Sequence, residues 1–280
     1  MVMNVINAGD IKHATYSLDY SEPMLFLAIH NGHNLSENIK DKIFITDADR
    51  LREEDPYTER FVNDKCNYII QNTSRFECDL NRNRDKAVYK RPEDCWGLPI
   101  YNGEKRLNEQ EINNSLTIYD NFYIELVKIV DNFLKKFNKI VIWDVHSYNH
   151  RRQGINAHYD CLEGNPEIII GTTNYNFMSI KWKELIDCIE TYMKSQPLNK
   201  RQYKNRPLNL PNLDVRQNVK FSGGNLSQFL NNKYGERVCC IAIEFKKIWM
   251  NEWTGEVDED CFKNLKNIFD STCEGIKFST

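Results

Sequence analysis

Several signals that define common protein classes are missing from this sequence of 280 residues. It has no C-x-x-C pair, so a zinc site of four cysteines is not expected. No apolar run approaches the roughly 18 residues that span a bilayer, and no charged segment followed by an apolar stretch opens the chain. The formal net charge of −3 gives no electrostatic footprint for nucleic acid or an anionic membrane. We therefore expect a cytoplasmic protein that binds neither.

The composition is that of a globular protein, with 41% hydrophobic and 12% aromatic residues. The nine cysteines are odd in number, and Cys239 and Cys240 are adjacent within an apolar run. Such a set is typical of reduced core thiols and not of a disulfide framework. The length allows one large domain or two small ones, and we expect a single domain over residues 1–280.

Apolar runs and helical periodicity alternate along the chain. The predicted strands are Met24–Ile29, Lys139–Val145, Glu167–Ile170 and Arg237–Phe245, and the predicted helices are Tyr57–Gln71, Asn108–Phe137, Trp182–Ser195 and Asp258–Phe269. This alternation predicts an α/β fold with a mixed, mostly parallel central sheet flanked by helices. The stretch Ser195–Asn212 contains three prolines and predicts a long surface loop.

Two histidines stand just after the first predicted strand, in the stretch LAIHNGHNL. His30 follows the apolar run MLFLAI directly, and His33 lies three positions later. A polar turn at the end of a buried strand projects side chains over the edge of the sheet, where α/β proteins place their chemistry. Taken alone, the pair fits a solvated turn with incidental histidines better than a site, so the other motifs must decide.

A histidine also stands at the end of a predicted strand in the motif KIVIWDVHSYNHRR. His146 ends the apolar run, and Asp144 lies two positions before it on the same face of the strand. A carboxylate beside a metal-binding imidazole fixes the ring tautomer and raises its basicity, which is the role predicted for Asp144. The alternative is an ordinary polar strand end. If both strands belong to one sheet, His30 and His146 could lie side by side at its carboxyl edge.

A carboxylate interrupts the apolar run RVCCIAIEF. Glu244 stands near the end of this predicted strand, and an unpaired buried charge is costly. Such a glutamate normally has a metal, a cation or a catalytic role to explain it. The alternative is a salt bridge with Lys246, Lys247 or an arginine elsewhere in the chain.

Arginines are concentrated in two segments. Arg75, Arg82 and Arg84 lie in SRFECDLNRNRD, and Arg151 and Arg152 end the motif KIVIWDVHSYNHRR. A guanidinium presents a planar fork that matches a carboxylate, so these arginines suit recognition of an acidic substrate. Each segment could equally be a solvated charged loop.

In their order along the chain, these motifs resemble the N-formylglutamate amidohydrolase family, which is related to zinc carboxypeptidases and aspartoacylases. The motifs are H-x-G from His30, S-R-x-x-x-D-x-N-R from Ser74, D-x-H-S from Asp144 and I-E-F-K-K from Ile243, and the resemblance extends to Gly255. It implies a zinc-carboxypeptidase-like (phosphorylase/hydrolase-like) architecture. It also implies zinc-dependent hydrolysis of a C–N amide bond in a small N-acylated acidic amino acid such as N-formylglutamate. The alternatives are a carboxypeptidase-type peptide hydrolase and a non-catalytic module that binds acidic ligands.

The resemblance implies a metal site with one zinc ion per chain. Relatives bind zinc through an H-x-x-E motif and a later histidine, which correspond here to His30, His33 and His146. Position 33 departs from that pattern, because a histidine stands where the relatives carry glutamate. Asp55 or Asp47 could therefore supply the second ligand in place of His33.

The resemblance also implies the other roles in the reaction. Glu244 corresponds to the general base that activates water and then protonates the leaving amine. Asn81 and Arg82 correspond to the N-R pair that holds the substrate carboxylate. Among the cationic side chains, Arg75 is expected to stabilise the oxyanion.

Overall fold

The computed structural model describes residues 4–8, 11–102, 106–158, 160–197 and 212–276. Contacts within the chain group it into two compact units, Met1–Ile140 and Val141–Thr280. Each unit is described by itself. That the whole chain forms a single domain stays a prediction.

The strands are β1 (Asn4–Ala8), β2 (Ile11–Ser17), β3 (Met24–Ala28), β4 (Tyr68–Gln71), β5 (Ile140–Tyr148), β6 (Ile168–Gly171), β7 (Val215–Gln217) and β8 (Val238–Lys246). They form one eight-stranded sheet in the order β1-β2-β4-β3-β5-β8-β6-β7. Both parallel and antiparallel pairs occur, so the predicted α/β fold with a mixed sheet flanked by helices is confirmed. One edge of the sheet is antiparallel, because β2 pairs antiparallel with both β1 and β4.

The helices are α1 (Glu37–Lys40), α2 (Asp47–Glu53), α3 (Glu59–Val62), α4 (Glu109–Lys136), α5 (Lys183–Ser195), α6 (Asn225–Tyr234) and α7 (Glu259–Glu274). The long α4 begins with a capping box, in which Asn108 accepts from the Glu111 amide and Glu111 accepts from the Asn108 amide. The predictions for α4, α5 and α7 are confirmed to within a few residues. Among the described residues, no helix has both the length and the apolar character needed to cross a membrane.

The predicted helix Tyr57–Gln71 is wrong. The structure has the single turn α3 in this segment and then the buried strand β4, which pairs parallel with β3. Apolar residues at Phe61, Val62, Ile69 and Ile70 mimic helical spacing, but the second pair belongs to a strand that is buried throughout. A strand buried on both faces has no alternation of polar and apolar residues, so periodicity cannot separate it from a buried helix.

In the first unit the core is built on β3, whose five residues are all buried. Its neighbour β4 is also fully buried, and Leu27 pairs with Ile69 across the two strands. A second group of buried side chains packs around Phe76 and Tyr89. These strands fix the point at which the chain leaves β3 and enters the turn that contains His30.

In the second unit the core is built on β5 and β8. All nine residues of β5 are buried, and Trp143 packs edge-on against Phe269 of α7. The nine cysteines are free thiols, and six of them, including Cys239 and Cys240, are buried as predicted for reduced core residues. The prediction is wrong for Cys161 and Cys188, which are exposed, and Cys66 is only partly buried. The predicted loop Ser195–Asn212 falls mostly outside the described residues, but Pro197 and Asn212 form an antiparallel bridge.

Candidate active site

His30 lies in the turn after β3, buried and held by two carboxylates. Its Nε2 donates to Asp79 Oδ1 at 2.8 Å, and its Nδ1 lies 3.4 Å from Asp55 Oδ2. The hydrogen bond to Asp79 places the ring proton on Nε2 and leaves the Nδ1 lone pair facing Asp55. The backbone fixes the same arrangement, because the Asp55 amide donates to the His30 carbonyl at 3.0 Å.

The glycine of the H-x-G motif is required by a close backbone approach. A Cβ on Gly32 would lie 2.3 Å from the carbonyl carbon of Asn72, far inside contact distance. The turn after β3 therefore runs against the end of β4, where the Asn34 amide also donates to the Asn72 carbonyl at 3.1 Å. Only glycine allows the turn that contains His30 to lie this close.

His146 lies near the end of β5 beside the carboxylate predicted for it. Its Nε2 is 3.0 Å from Asp144 Oδ2, and both side chains are buried. The two residues share one face of the strand because they are two positions apart. The predicted carboxylate therefore lies at ion-pair distance from the imidazole.

Within the described residues, one group of side chains has the chemistry and spacing of a metal site. His30, Asp55 and His146 each offer one ligand atom, these atoms lie within 4.8 Å of one another, and all three residues are buried. Two imidazole nitrogens and one carboxylate oxygen are a donor set of catalytic zinc sites. This buried group could therefore bind a divalent metal.

His33 interacts with different partners. Its side chain is 38% exposed, and its Nδ1 donates to the buried Glu54 Oε2 at 2.5 Å. Its Nε2 accepts from Arg50 Nη2 at 3.0 Å, and Arg50 also donates to the His33 carbonyl at 3.1 Å. Both ring nitrogens thus face partners that are not metal ligands.

The two aspartates that could replace His33 as a ligand differ sharply in position. Asp47 is 85% exposed and pairs with Arg50 at 2.9 Å on the surface of α2. Asp55 is 3% exposed and is the carboxylate that joins His30 and His146 in the buried group. The geometry therefore favours Asp55 over both His33 and Asp47 as the third ligand.

Asp79 joins His30 to the arginine segment, a role that the sequence motifs did not predict. It accepts from Arg75 Nη2 at 2.8 Å and from the Tyr89 hydroxyl, and Arg82 Nε lies 3.5 Å away. Burial alone would raise the pKa of this carboxyl, but the charges of Arg75 and His30 hold it well below its usual range. Asp79 is the acidic residue of the S-R-x-x-x-D-x-N-R motif, but the motif alone does not show that it contacts His30.

The predicted N-R pair lies next to this carboxylate. The Asn81 backbone N–H donates to Asp79 Oδ1 at 2.9 Å, and the Arg82 guanidinium lies 5.1 Å over the Tyr89 ring. The Arg82 side chain keeps 32% of its surface exposed. It is thus fixed on one side and accessible on the other, as a residue that binds an incoming carboxylate must be.

The remaining predicted arginines are placed less favourably. Arg84 forms a two-pronged pair with Asp120 of α4 at 2.7 and 2.8 Å on the protein surface. Arg151 lies 4.5 Å over the Trp253 ring with its Nε 3.8 Å from Glu252, and Arg152 is exposed. Both prongs of Arg84 are thus taken up by a surface ion pair.

Glu244 is a half-buried residue of β8, opposite Ile169 of β6. Burial and, after it, the charge of Glu244 raise the pKa of the Tyr148 phenol, which places the carboxylate near the end of β5. Lys246, one of the salt-bridge partners considered for it, faces the charges of Glu167 and Asp214. Glu244 is therefore close to the strand that supplies His146.

Comparisons with known proteins bear on the fold and the family. The sequence profile of N-formylglutamate amidohydrolase matches residues 22–250. A crystal structure titled N-formylglutamate amidohydrolase, from Ralstonia eutropha JMP134, aligns with a TM-score of 0.69 at 15% identity and covers 95% of this chain and 100% of its own. A gene product of Agrobacterium tumefaciens aligns with a TM-score of 0.64 at 14% identity, covering 97% and 98%. No curated protein matches significantly in sequence.

The two structural alignments establish the fold, and the profile match, which spans most of the chain, establishes the family. The family name describes hydrolases that act on a C–N bond. The chain belongs to the N-formylglutamate amidohydrolase family.

Proposed function

We propose that this protein hydrolyses the amide C–N bond of an N-acylated acidic amino acid, with N-formylglutamate as the first candidate substrate. The observation that carries the proposal is the buried group of His30, Asp55 and His146, with Asp79 and Asp144 against the two imidazoles. This combination of ligands and supporting carboxylates is typical of catalytic zinc sites.

The donor set fits a zinc ion, with one ion expected per chain. When bound, such an ion would supply the Lewis acidity that polarises the substrate carbonyl and acidifies a water molecule. Asp79 would hold His30 in the tautomer that leaves Nδ1 available. Asp144 would do the same for His146 on the second strand.

Glu244 would act as the proton carrier. Its carboxylate would take a proton from the attacking water and deliver it to the nitrogen of the departing amine. The water oxygen would bond to the acyl carbon while the C–N bond breaks, so that N-formylglutamate yields formate and glutamate.

Arg75 and the Asn81–Arg82 pair would bind the charged parts of the substrate. Arg75 is held in place by Asp79 and Tyr89, so its guanidinium would stabilise charge developing on the carbonyl oxygen with little reorganisation. Asn81 and the accessible Arg82 would hold the substrate carboxylate and fix the scissile bond in register.

The test measures metal content and product release together. Purified protein is assayed for formate release from N-formylglutamate, before and after chelation and after zinc is restored. N-formylleucine and a peptide ending in glutamate serve as matched substrates. We expect about one zinc per chain, loss of activity on chelation and recovery with zinc.

The outcomes separate the three functions considered. Preference for the peptide would favour a carboxypeptidase-type enzyme, and zinc binding without any hydrolysis would favour a binding module. Full activity after complete removal of metal would contradict the proposal.

A further inference from the structure

Trp96 has a backbone conformation that bulky residues seldom adopt. Its φ is +56° and that of the following Gly97 is +82°, so two consecutive residues lie in the left-handed region. For a tryptophan this conformation costs free energy, and such strain persists only where surrounding structure enforces it. Yet the Trp96 side chain is 49% exposed, so core packing does not explain it.

The segment around Trp96 is anchored on both sides. Cys95 and Ile100 are buried with Tyr89 in one hydrophobic cluster. The Cys95 amide donates to the Pro92 carbonyl at 3.0 Å, and the Leu98 amide donates to the Cys95 carbonyl at 2.9 Å. These anchors hold the strained turn and display the indole at the surface.

The indole lies over the guanidinium of Arg75. The centre of that guanidinium is 4.9 Å from the Trp96 ring, and Tyr89 meets the same indole edge-on at 6.4 Å. Arg75 also donates to Asp79, and only 12% of its side-chain surface is exposed. The guanidinium is therefore paired with a carboxylate, covered by an aromatic ring and largely removed from water.

We propose that Trp96 is a positioning residue for the hydrolytic reaction, acting through Arg75 by shielding its guanidinium from water and holding it in place. The inference rests on the proposed function, because Trp96 can assist the reaction only if Arg75 stabilises the oxyanion. A charge in a water-poor environment acts more strongly on a developing oxyanion than a solvated one. A cation over an indole is also held by the ring itself.

The test compares Trp96→Ala with Trp96→Phe, which keeps an aromatic face. Ile124→Ala, which removes a 53% exposed side chain of α4, is the control for loss of a surface hydrophobic residue. We expect Trp96→Ala to lower kcat about tenfold with little change in KM, the size of a partly desolvated cation–π contact. Trp96→Phe should restore most of the rate, and Ile124→Ala should match the wild type.

A second readout does not depend on activity. Metal-free protein is treated with phenylglyoxal, which modifies accessible arginines, and the labelling rate of each arginine is measured by peptide mass spectrometry. Arg75 should be labelled several-fold faster in Trp96→Ala than in the wild type or Trp96→Phe. Arg84, which is 54% exposed, should be labelled equally in all variants and is the internal reference.

The two readouts separate failure of the inference from failure of the proposed function. Equal labelling of Arg75 in all variants, or an unchanged kcat in Trp96→Ala, would overturn the role of Trp96. Absence of hydrolysis in wild-type protein with the labelling contrast intact would overturn the proposed function, and with it the catalytic part of this inference.

Discussion

Single side chains decide the chemistry of the candidate site, and Asp79 shows how. It has no exposed surface and accepts from His30, Arg75 and Tyr89 at once. Its negative charge therefore has two effects, because it orients the imidazole of the proposed ligand His30 and neutralises a buried guanidinium. A neutral amide of the same shape could still accept from the imidazole, but it could neither raise the basicity of the ring nor neutralise the guanidinium.

Asp79→Asn should damage both metal binding and stability. We expect zinc affinity to fall by about 10–100-fold, since the imidazole loses the negative charge that raises its basicity. The free energy of unfolding of metal-free protein should fall by about 3 kcal/mol, because Arg75 is left buried without a counter-charge. Zinc competition and urea titration measure the two effects. Asp120→Asn removes a surface pair instead and should change neither, so an equal loss in that variant would refute the role of Asp79.

Glu244→Gln tests the assignment of the general base. The variant keeps the size and hydrogen-bonding shape of the side chain but cannot accept the proton of water. Turnover should fall by at least about two orders of magnitude, the usual weight of such a group. Zinc content and the thermal unfolding midpoint should stay at wild-type values. A variant that hydrolyses at the wild-type rate would show that another group carries the proton.

Part of the site can be predicted from single residues. His30, His146 and Glu244 stand out because each interrupts or ends an apolar run, where a polar side chain needs a reason. Asp79 gives no such signal, because its partner His30 is 49 positions away and sequence spacing does not reveal a contact made through folding. The sequence favours His33 over Asp55 because His33 occupies the position of the glutamate in the H-x-x-E motif. The proximity of Asp55 to His30 is visible only in the folded chain.

Among the secondary-structure elements, two helices are joined through Glu77. Its carboxylate accepts from the Ser36 amide at 2.8 Å, at the start of α1, and from the Ser115 hydroxyl at 3.2 Å, in α4. Burial outweighs these hydrogen bonds and raises the pKa of Glu77 above its ordinary value. The folded state thus holds a proton on this group at a pH where the unfolded state has lost it.

This shift predicts a pH dependence of stability with a definite sign. Between the ordinary glutamate pKa and the raised folded value, the native state binds more protons, so stability must fall as pH rises. Glu77→Gln removes the titrating group and should flatten that part of the curve. Urea unfolding of metal-free wild type and variant at a series of pH values from about 4 upwards gives the comparison. A difference between the two proteins that does not change with pH would contradict the assignment.

Elements are predicted well where their pattern is long or their ends are marked. The helix α4 has a capping box and 28 residues of amphipathic sequence, and β5 and β8 are nine-residue strands that each begin with a marked apolar run. The short β4 has a sequence that fits part of a helix, and β7 has only three residues. Such strands are defined by their neighbours in the sheet and carry little signal of their own.

At the scale of the whole molecule, the motifs are scattered along the sequence, and it is their order that indicates the family. The profile match over residues 22–250 and the two structural alignments agree with a resemblance built on four short motifs. Fold alone does not choose a substrate, because the same site chemistry serves acylated amino acids and peptides. Substrate specificity must therefore come from the residues around the buried group of His30, Asp55 and His146.

A zinc titration of metal-free wild type, Asp55→Ala and His33→Ala tests the proposed metal site without any assumption about the substrate. We predict one zinc per wild-type chain, and near-normal binding by His33→Ala, whose side chain pairs with Glu54. Asp55→Ala should bind at least about a hundredfold more weakly, since each ligand contributes several kcal/mol to binding. Loss of zinc binding in His33→Ala with binding preserved in Asp55→Ala would contradict the assignment of His30, Asp55 and His146 as the metal ligands.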